Sequence, residues 1–254
     1  MRGAIGVLGA VAMVVVMTVF GAACGGSEAC ADLDDEVLLT AQVTDNGERA
    51  RVEVELRRPD LEAGSIPVKL CEKHGLRVDE VDMTEVKRPS GAVIYEAELD
   101  AVSEQQPLTR RFQLRTADDT REFTATIDAP GFVISSPAAD SEISRAAALT
   151  ISWGPARGAD AKIAVKVADE IDGDACLGEP LELEEPDDGE VVIAKSQVEL
   201  TPEMPPSDGV CAAFVTLSRT QTVALALATG GGALHPDSRV EATTSRTVTF
   251  MSVP

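Results

Sequence analysis

Between Arg49 and Arg58 the chain reads RARVEVELRR. Val52, Val54 and Leu56 fall on one parity, and Arg51, Glu53 and Glu55 on the other. A strand turns successive side chains to opposite faces, so this period of two describes a half-buried strand. An amphipathic helix would bring its apolar face back every three to four residues instead. VLLTAQVT (37–44) precedes the run, and Asp45-Asn46-Gly47 joins the two. That tripeptide signals a tight hairpin, because Asn and Gly accept the positive φ of primed turns. Strand-like runs continue at 92–99, 109–116 and 121–128, and then at 148–153, 161–169, 190–200, 210–220, 222–229 and 245–253. The section from Ala63 to Val86 holds one short helical turn at most. Short strands at this spacing predict an all-β sandwich or barrel.

The run DAPGFVISSPAADSEISR (128–145) interrupts the series and is rich in Pro, Gly, Ser and Ala. It places a boundary near residue 130, between a first β-sandwich domain at 37–130 and a second at 131–254. The halves can be overlaid with offsets that rise from 110 (Leu39 on Leu149) to 125 (Arg121 on Arg246). A domain repeat with lengthened loops would give that pattern.

Within the second half, FVISSPAADSEISRAAALTISWGPA (132–156) resembles the start of a bacterial fibronectin-III or immunoglobulin-like domain. There an apolar-Ser-Pro entry leads to an alternating strand that ends in Trp with Pro close behind. Here those are Pro137, residues 148–153, Trp153 and Pro155. The resemblance implies a seven-stranded sandwich of about 100 residues, with Trp153 in its core rather than on a ligand platform. With the repeat, the chain reads as two tandem Ig-like or fibronectin-III-like sandwiches.

Charge narrows the partners. The chain carries 22 Lys+Arg against 43 Asp+Glu, a net of −21, which repels phosphate backbones and argues against nucleic acid. Aromatic residues make up 3%, too few for a carbohydrate platform or an aromatic-anchored interface.

Met1-Arg2-Gly3 supplies one positive charge, and residues 4–23 carry none. A basic start, an apolar run and a small-residue exit describe a secretory signal peptide at 1–23. A retained membrane-spanning helix is the competing reading, since about 20 apolar residues cross a bilayer. The exit Gly21-Ala22-Ala23-Cys24 resembles the bacterial lipobox, departing from it at Gly21, where an aliphatic residue is preferred. The resemblance implies that Cys24 becomes the first residue of a mature lipoprotein and bears palmitate-type acyl chains. Two or three such chains anchor firmly where one does not. In that family an Asp after the lipidated Cys retains the protein at the inner membrane. Gly25 therefore implies the outer membrane, on its periplasmic face or at the cell surface. Residues 24–36 would form a short tether. Cleavage removes Arg2 and no acid, leaving 21 Lys+Arg against 43 Asp+Glu, a net of −22.

Lipidation of Cys24 leaves Cys30, Cys71, Cys176 and Cys211. Export permits disulfides, and four cysteines allow three connectivities. The simplest pairing is local, Cys30 with Cys71 and Cys176 with Cys211, one staple in each half.

Chemistry-bearing motifs are sparse. His74 stands three residues after Cys71, half of a zinc pattern with no second half. His235 sits in a Gly- and Pro-rich stretch, with no G-x-S-x-G elbow to supply a nucleophile. The acidic run 168–190 offers Asp169, Glu170, Asp172 and Asp174 beside Gly173 as weak calcium candidates, without the EF-hand's closing Glu. Otherwise it is a solvated loop. The expectation is a non-catalytic, membrane-anchored envelope lipoprotein that needs no cofactor. It would act as a protein-interaction or structural module, with the lipid bilayer and an envelope or extracellular protein as partners. A calcium-dependent adhesion module and a hydrolase are the alternatives.

Overall fold

The computed structural model describes residues 30–31, 36–60, 64–101, 107–115, 119–128, 131–169, 180–195, 197, 209–229 and 234–254. The first half forms β1 (Cys30–Ala31), β2 (Leu38–Asp45), β3 (Arg49–Asp60), β4 (Gly64–Pro67), β5 (Lys69–Leu70), β6 (Gly75–Val78), β7 (Val81–Asp82), β8 (Thr84–Lys87), β9 (Val93–Asp100), β10 (Leu108–Arg115) and β11 (Thr120–Ile127). The second forms β12 (Val133–Ser136), β13 (Glu142–Ser144), β14 (Leu149–Gly154), β15 (Gly158–Asp169), β16 (Leu181–Asp187), β17 (Glu190–Ile193), β18 (Cys211–Ala224), β19 (Ala226–Thr229) and β20 (Arg239–Val253). The described residues contain no helix, so the protein is all-β, as the alternation predicts. In particular, no helix among them is long and apolar enough to cross a membrane.

Val52, Val54 and Leu56 are fully buried on β3. The β2–β3 hairpin exists, but its turn is not a two-residue primed one. Only Gly47 takes a positive φ (93°). Asn46 contributes its side chain instead: Oδ1 accepts the backbone N–H groups of Glu48 and Arg49, each at 3.0 Å.

Two sandwiches emerge. In the first, β2-β3-β9-β8 lie in one sheet and β6-β10-β11 in the other, the four-plus-three strand order of an immunoglobulin constant-type domain. In the second, β12-β14-β17 lie in one sheet and β16-β15-β18-β20 in the other, with β13 parallel to β20. Each encloses its own core, one around Val52, Leu76 and Phe112, the other around Ile151, Trp153 and Leu217.

Strand pairing does not follow the overlay of the halves. β2 pairs with β3, whereas β14 pairs with β12 and β17 and lies in a different sheet from β15. The overlay sets β2 on β14, which have different places in their sandwiches, because any two alternating strands match locally.

The second half also reaches into the first. β18 and β20 pair over fourteen consecutive positions, and the far half of this hairpin leaves its own core. Thr40–Asp45 of β2 pair in parallel with Arg239–Thr244 of β20. β19 pairs with β11. Leu225, Val240 and Ala242 are buried in the first core. Both edges of the first sandwich on that side, β2 in one sheet and β11 in the other, are thereby covered by C-terminal strands. One ten-stranded sheet runs through both units, in the order β16-β15-β18-β20-β2-β3-β9-β8, with β13 added beside β20 and β4 beside β3.

Two expectations need correction. The acidic stretch 168–190 is not loop throughout: Leu181–Asp187 forms β16, an edge strand paired with β15. β20 begins at Arg239 rather than near 245, because its first six residues pair with β2 of the other sandwich.

Candidate functional site

The outer face of the long sheet changes character across its width. Over β3 and β9 it is an ion-pair ladder. Glu53 lies opposite Glu96, a like-charge pairing that costs energy unless bridged. Arg51 bridges it, at 2.7 Å from Glu96 and 3.1 Å from Glu53. The hydrogen bond to Glu96 is the main cause of the rise in the Arg51 pKa. Arg49 pairs with Glu98 at 2.8 Å. Over β18 and β20 the face carries a hydroxyl ladder instead. Thr216 meets Thr247 at 2.9 Å, Ser218 meets Ser245 at 2.8 Å, and Thr220 meets Thr243 at 3.0 Å. The far edge, β16, is acidic with Glu182, Glu184 and Glu185.

Charged residues on inward parity mark the internal sites. Arg219 continues the buried series Ala213, Val215, Leu217 on β18 and is 3% exposed; Asp187 is fully buried. Arg219 grips Asp187 with two bonds, Nε at 2.6 Å and Nη2 at 2.9 Å. Trp153 Nε1–H donates to the same carboxylate at 2.8 Å, and Pro155 O accepts from Arg219 Nη2 at 2.9 Å. A buried charge is tolerable only with such complete pairing. The Arg219 guanidinium also sits 4.8 Å from the ring centroid of Phe132, and that of Arg246 5.9 Å from it, both within cation–π range. Arg246 in turn reaches Asp45 at 2.9 Å, and Asp45 accepts the N–H of Gly47 at 2.7 Å. A connected series of contacts thus runs from Trp153 in the second core to the β2–β3 hairpin of the first. It fastens the two units together.

At the other end of β3, Cys30 and Cys71 form a disulfide, with Cα atoms 4.8 Å apart. Arg58 Nη2 donates to Cys30 O at 3.0 Å. This fixes the start of the described chain onto the first sandwich. A cleft beside it holds His74 and Tyr95. Tyr95 is buried and its hydroxyl oxygen accepts the Leu70 N–H at 2.8 Å. Burial pushes the Tyr95 pKa up from the ordinary phenol value.

A larger cleft, about 650 Å³, opens at the mouth of the first sandwich. Its floor is Arg110, on inward parity with Phe112 and Leu114 and paired with Asp79.

The residues singled out from sequence distribute as follows. Trp153 is buried in a core, as the resemblance implies. Cys211 is buried and disulfide-bonded. Cys24 and Cys176 lie outside the described residues, as do residues 1–23 and the calcium candidates Glu170, Asp172 and Asp174. Asp169 ends β15, and no metal-binding group of three or more donors occurs among the described residues. His235 Nδ1 accepts the N–H of Asp237 at 3.2 Å within a turn. The adjacent Ser238 Oγ accepts the Leu39 N–H at 3.0 Å, so it serves the β2 backbone.

Sequence reasoning missed the Asp187–Arg219, Asp45–Arg246 and Asp79–Arg110 pairs. The available signal was an arginine on the apolar parity of a strand. Comparison with known protein families finds no matching model, and comparison with curated proteins finds no match.

Proposed function

We propose that the chain is a non-catalytic lipoprotein of the bacterial envelope, anchored at the outer membrane through Cys24 and acting as a protein-interaction or structural module. The observation that carries the reading is the uncharged run 4–23 ending in Gly21-Ala22-Ala23-Cys24. Two structural features fit it. The Cys30–Cys71 disulfide pins the chain to the first sandwich six residues after Cys24. Six extended residues span at most about 20 Å, so the first sandwich would stand close to the bilayer. The fastened joint then presents the second sandwich, with its hydroxyl ladder and acidic edge, in a fixed relation to the first. Such a rigid two-sandwich body suits contact with another envelope or extracellular protein.

The test is membrane fractionation of the full-length chain with Cys24→Ser. Loss of membrane association, together with loss of labelled palmitate incorporation, is the expected result. If the variant remains membrane-bound, residues 4–23 are a spanning helix and the lipid anchor is wrong.

A further inference from the structure

The mouth of the first sandwich holds an arginine whose binding edge is unused. Arg110 is 5% exposed. Its Nη1 is held by Asp79, while Nε and Nη2 are buried with no hydrogen-bond partner. On a guanidinium, Nε–H and Nη2–H share one edge and point in parallel. That edge is the fork that takes a carboxylate through two hydrogen bonds. Buried donors are almost always satisfied, so an open fork is an exception that needs a partner.

The setting favours a ligand. Asp79 takes a left-handed φ of 46° and Glu80 one of 71°, both without glycine. These are the two central residues of the tight β6–β7 hairpin, in which Val78 pairs with Val81, and a primed turn requires positive φ at both. The turn is docked on β10: Asp79 N–H donates to Arg111 O at 2.9 Å, and Asp79 Oδ1 accepts the Arg111 N–H at 2.8 Å. Asp79 therefore holds Arg110 by one nitrogen and leaves the other edge without a partner, on a residue that lines the cleft. The cleft volume of about 650 Å³ lies within the usual range for ligand sites. Val81 and Leu99 supply apolar wall, and the exposed carboxylates of Glu48 and Asp100 stand at the rim. Arg49, also at the rim, is committed to Glu98.

We propose that this cleft binds the C-terminal end of a peptide whose last residue is lysine. The terminal carboxylate seats on the Arg110 fork. The aliphatic stem lies along Val81 and Leu99, and the ammonium meets Glu48 and Asp100. The fork lies beneath the cleft surface, so seating the carboxylate requires the Arg110 side chain to rotate about its Asp79 contact. The proposal deepens the interaction reading given above by naming a partner chemistry, and it does not depend on the lipid anchor.

Isothermal titration of the full-length chain with the tetrapeptide Ala-Ala-Ala-Lys tests it. The free acid binds, and its C-terminal amide binds at least tenfold more weakly. Arg110→Lys keeps the charge but loses the fork, and weakens the free acid at least tenfold. The Glu48→Gln/Asp100→Asn pair lies on the exposed rim and leaves the fold intact. It reduces Ala-Ala-Ala-Lys to the affinity of Ala-Ala-Ala-Ala. Equal binding of acid and amide overturns the site, as does unchanged binding to Arg110→Lys, or no heat from the free acid at millimolar peptide. Cys24→Ser leaves the titration unchanged, so failure here and failure of the anchor are read separately.

Discussion

The first sandwich borrows strands from the second half, whereas the second is built from its own. The first has a mostly aliphatic core, and its strands β11 and β2 find their outer partners in β19 and β20. The second packs around Trp153 and locks that residue to a buried Asp187–Arg219 pair. Both obey the same in-and-out rule along their strands, yet only the first has edge strands bordered by the other half's β19 and β20. The difference shows that a domain boundary drawn in sequence and a boundary in stabilisation need not coincide. Residues 239–244 come late in the chain and pair with β2.

The strongest way to break this comparison is Val240→Asp. Val240 is fully buried in the first core while belonging to a strand of the second. An unpaired buried carboxylate there costs more than about 4 kcal/mol. Calorimetry is expected to show the whole protein melting earlier in one transition. A second sandwich that melts separately at its original temperature would mean that the shared hairpin does not couple the units.

Next in size is Arg219→Ala, which strands Asp187 without its partner and costs about 3–5 kcal/mol by urea unfolding. The paired change Arg219→Met with Asp187→Leu is expected to recover much of that loss. If the single variant costs under about 1 kcal/mol, the fastening is decorative.

Cys30→Ser/Cys71→Ser opens a closure of 41 residues, worth about 3–4 kcal/mol on the chain-entropy model. The loss is expected in the first core, read by hydrogen exchange at β3 and β9, and not in β14 or β17. Uniform loss of protection would show that the staple serves both units.

The smallest effect concerns Tyr95. Its pKa is raised in the folded state by burial, so its contribution to stability is complete below the ordinary phenol value of about 10. It is lost as pH rises through the folded value. Tyr95→Phe is expected to flatten the alkaline decline in melting temperature and to lower stability slightly at neutral pH, because Leu70 N–H loses its acceptor. An unchanged alkaline profile would remove Tyr95 as its source.

Much of the architecture is legible in the sequence because alternation is local. Val52, Val54 and Leu56 announce their burial in three positions, and Trp153 followed by Pro155 announces its place in a sandwich. The Cys30–Cys71 pair was the simplest local closure. The joint was not legible, since Asp45 and Arg246 stand 201 residues apart and nothing near either one names the other. β16 was hidden by composition. Its glutamates read as a solvated loop, although Leu181 and Leu183 alternate with them. Arg110 carries a local signal, an arginine in the parity of Phe112 and Leu114. The β6–β7 turn that sets Asp79 against it is made by strand pairing and carries no Asn or Gly to mark it.

The borrowed strands also set a clock. If the first sandwich forms before β19 and β20 dock, β2 and β11 have no neighbours on their outer sides in the interval. An open edge is where strands from different chains join. The hazard of self-association is therefore greatest while the first sandwich waits for the second, and the docking of β20 ends it.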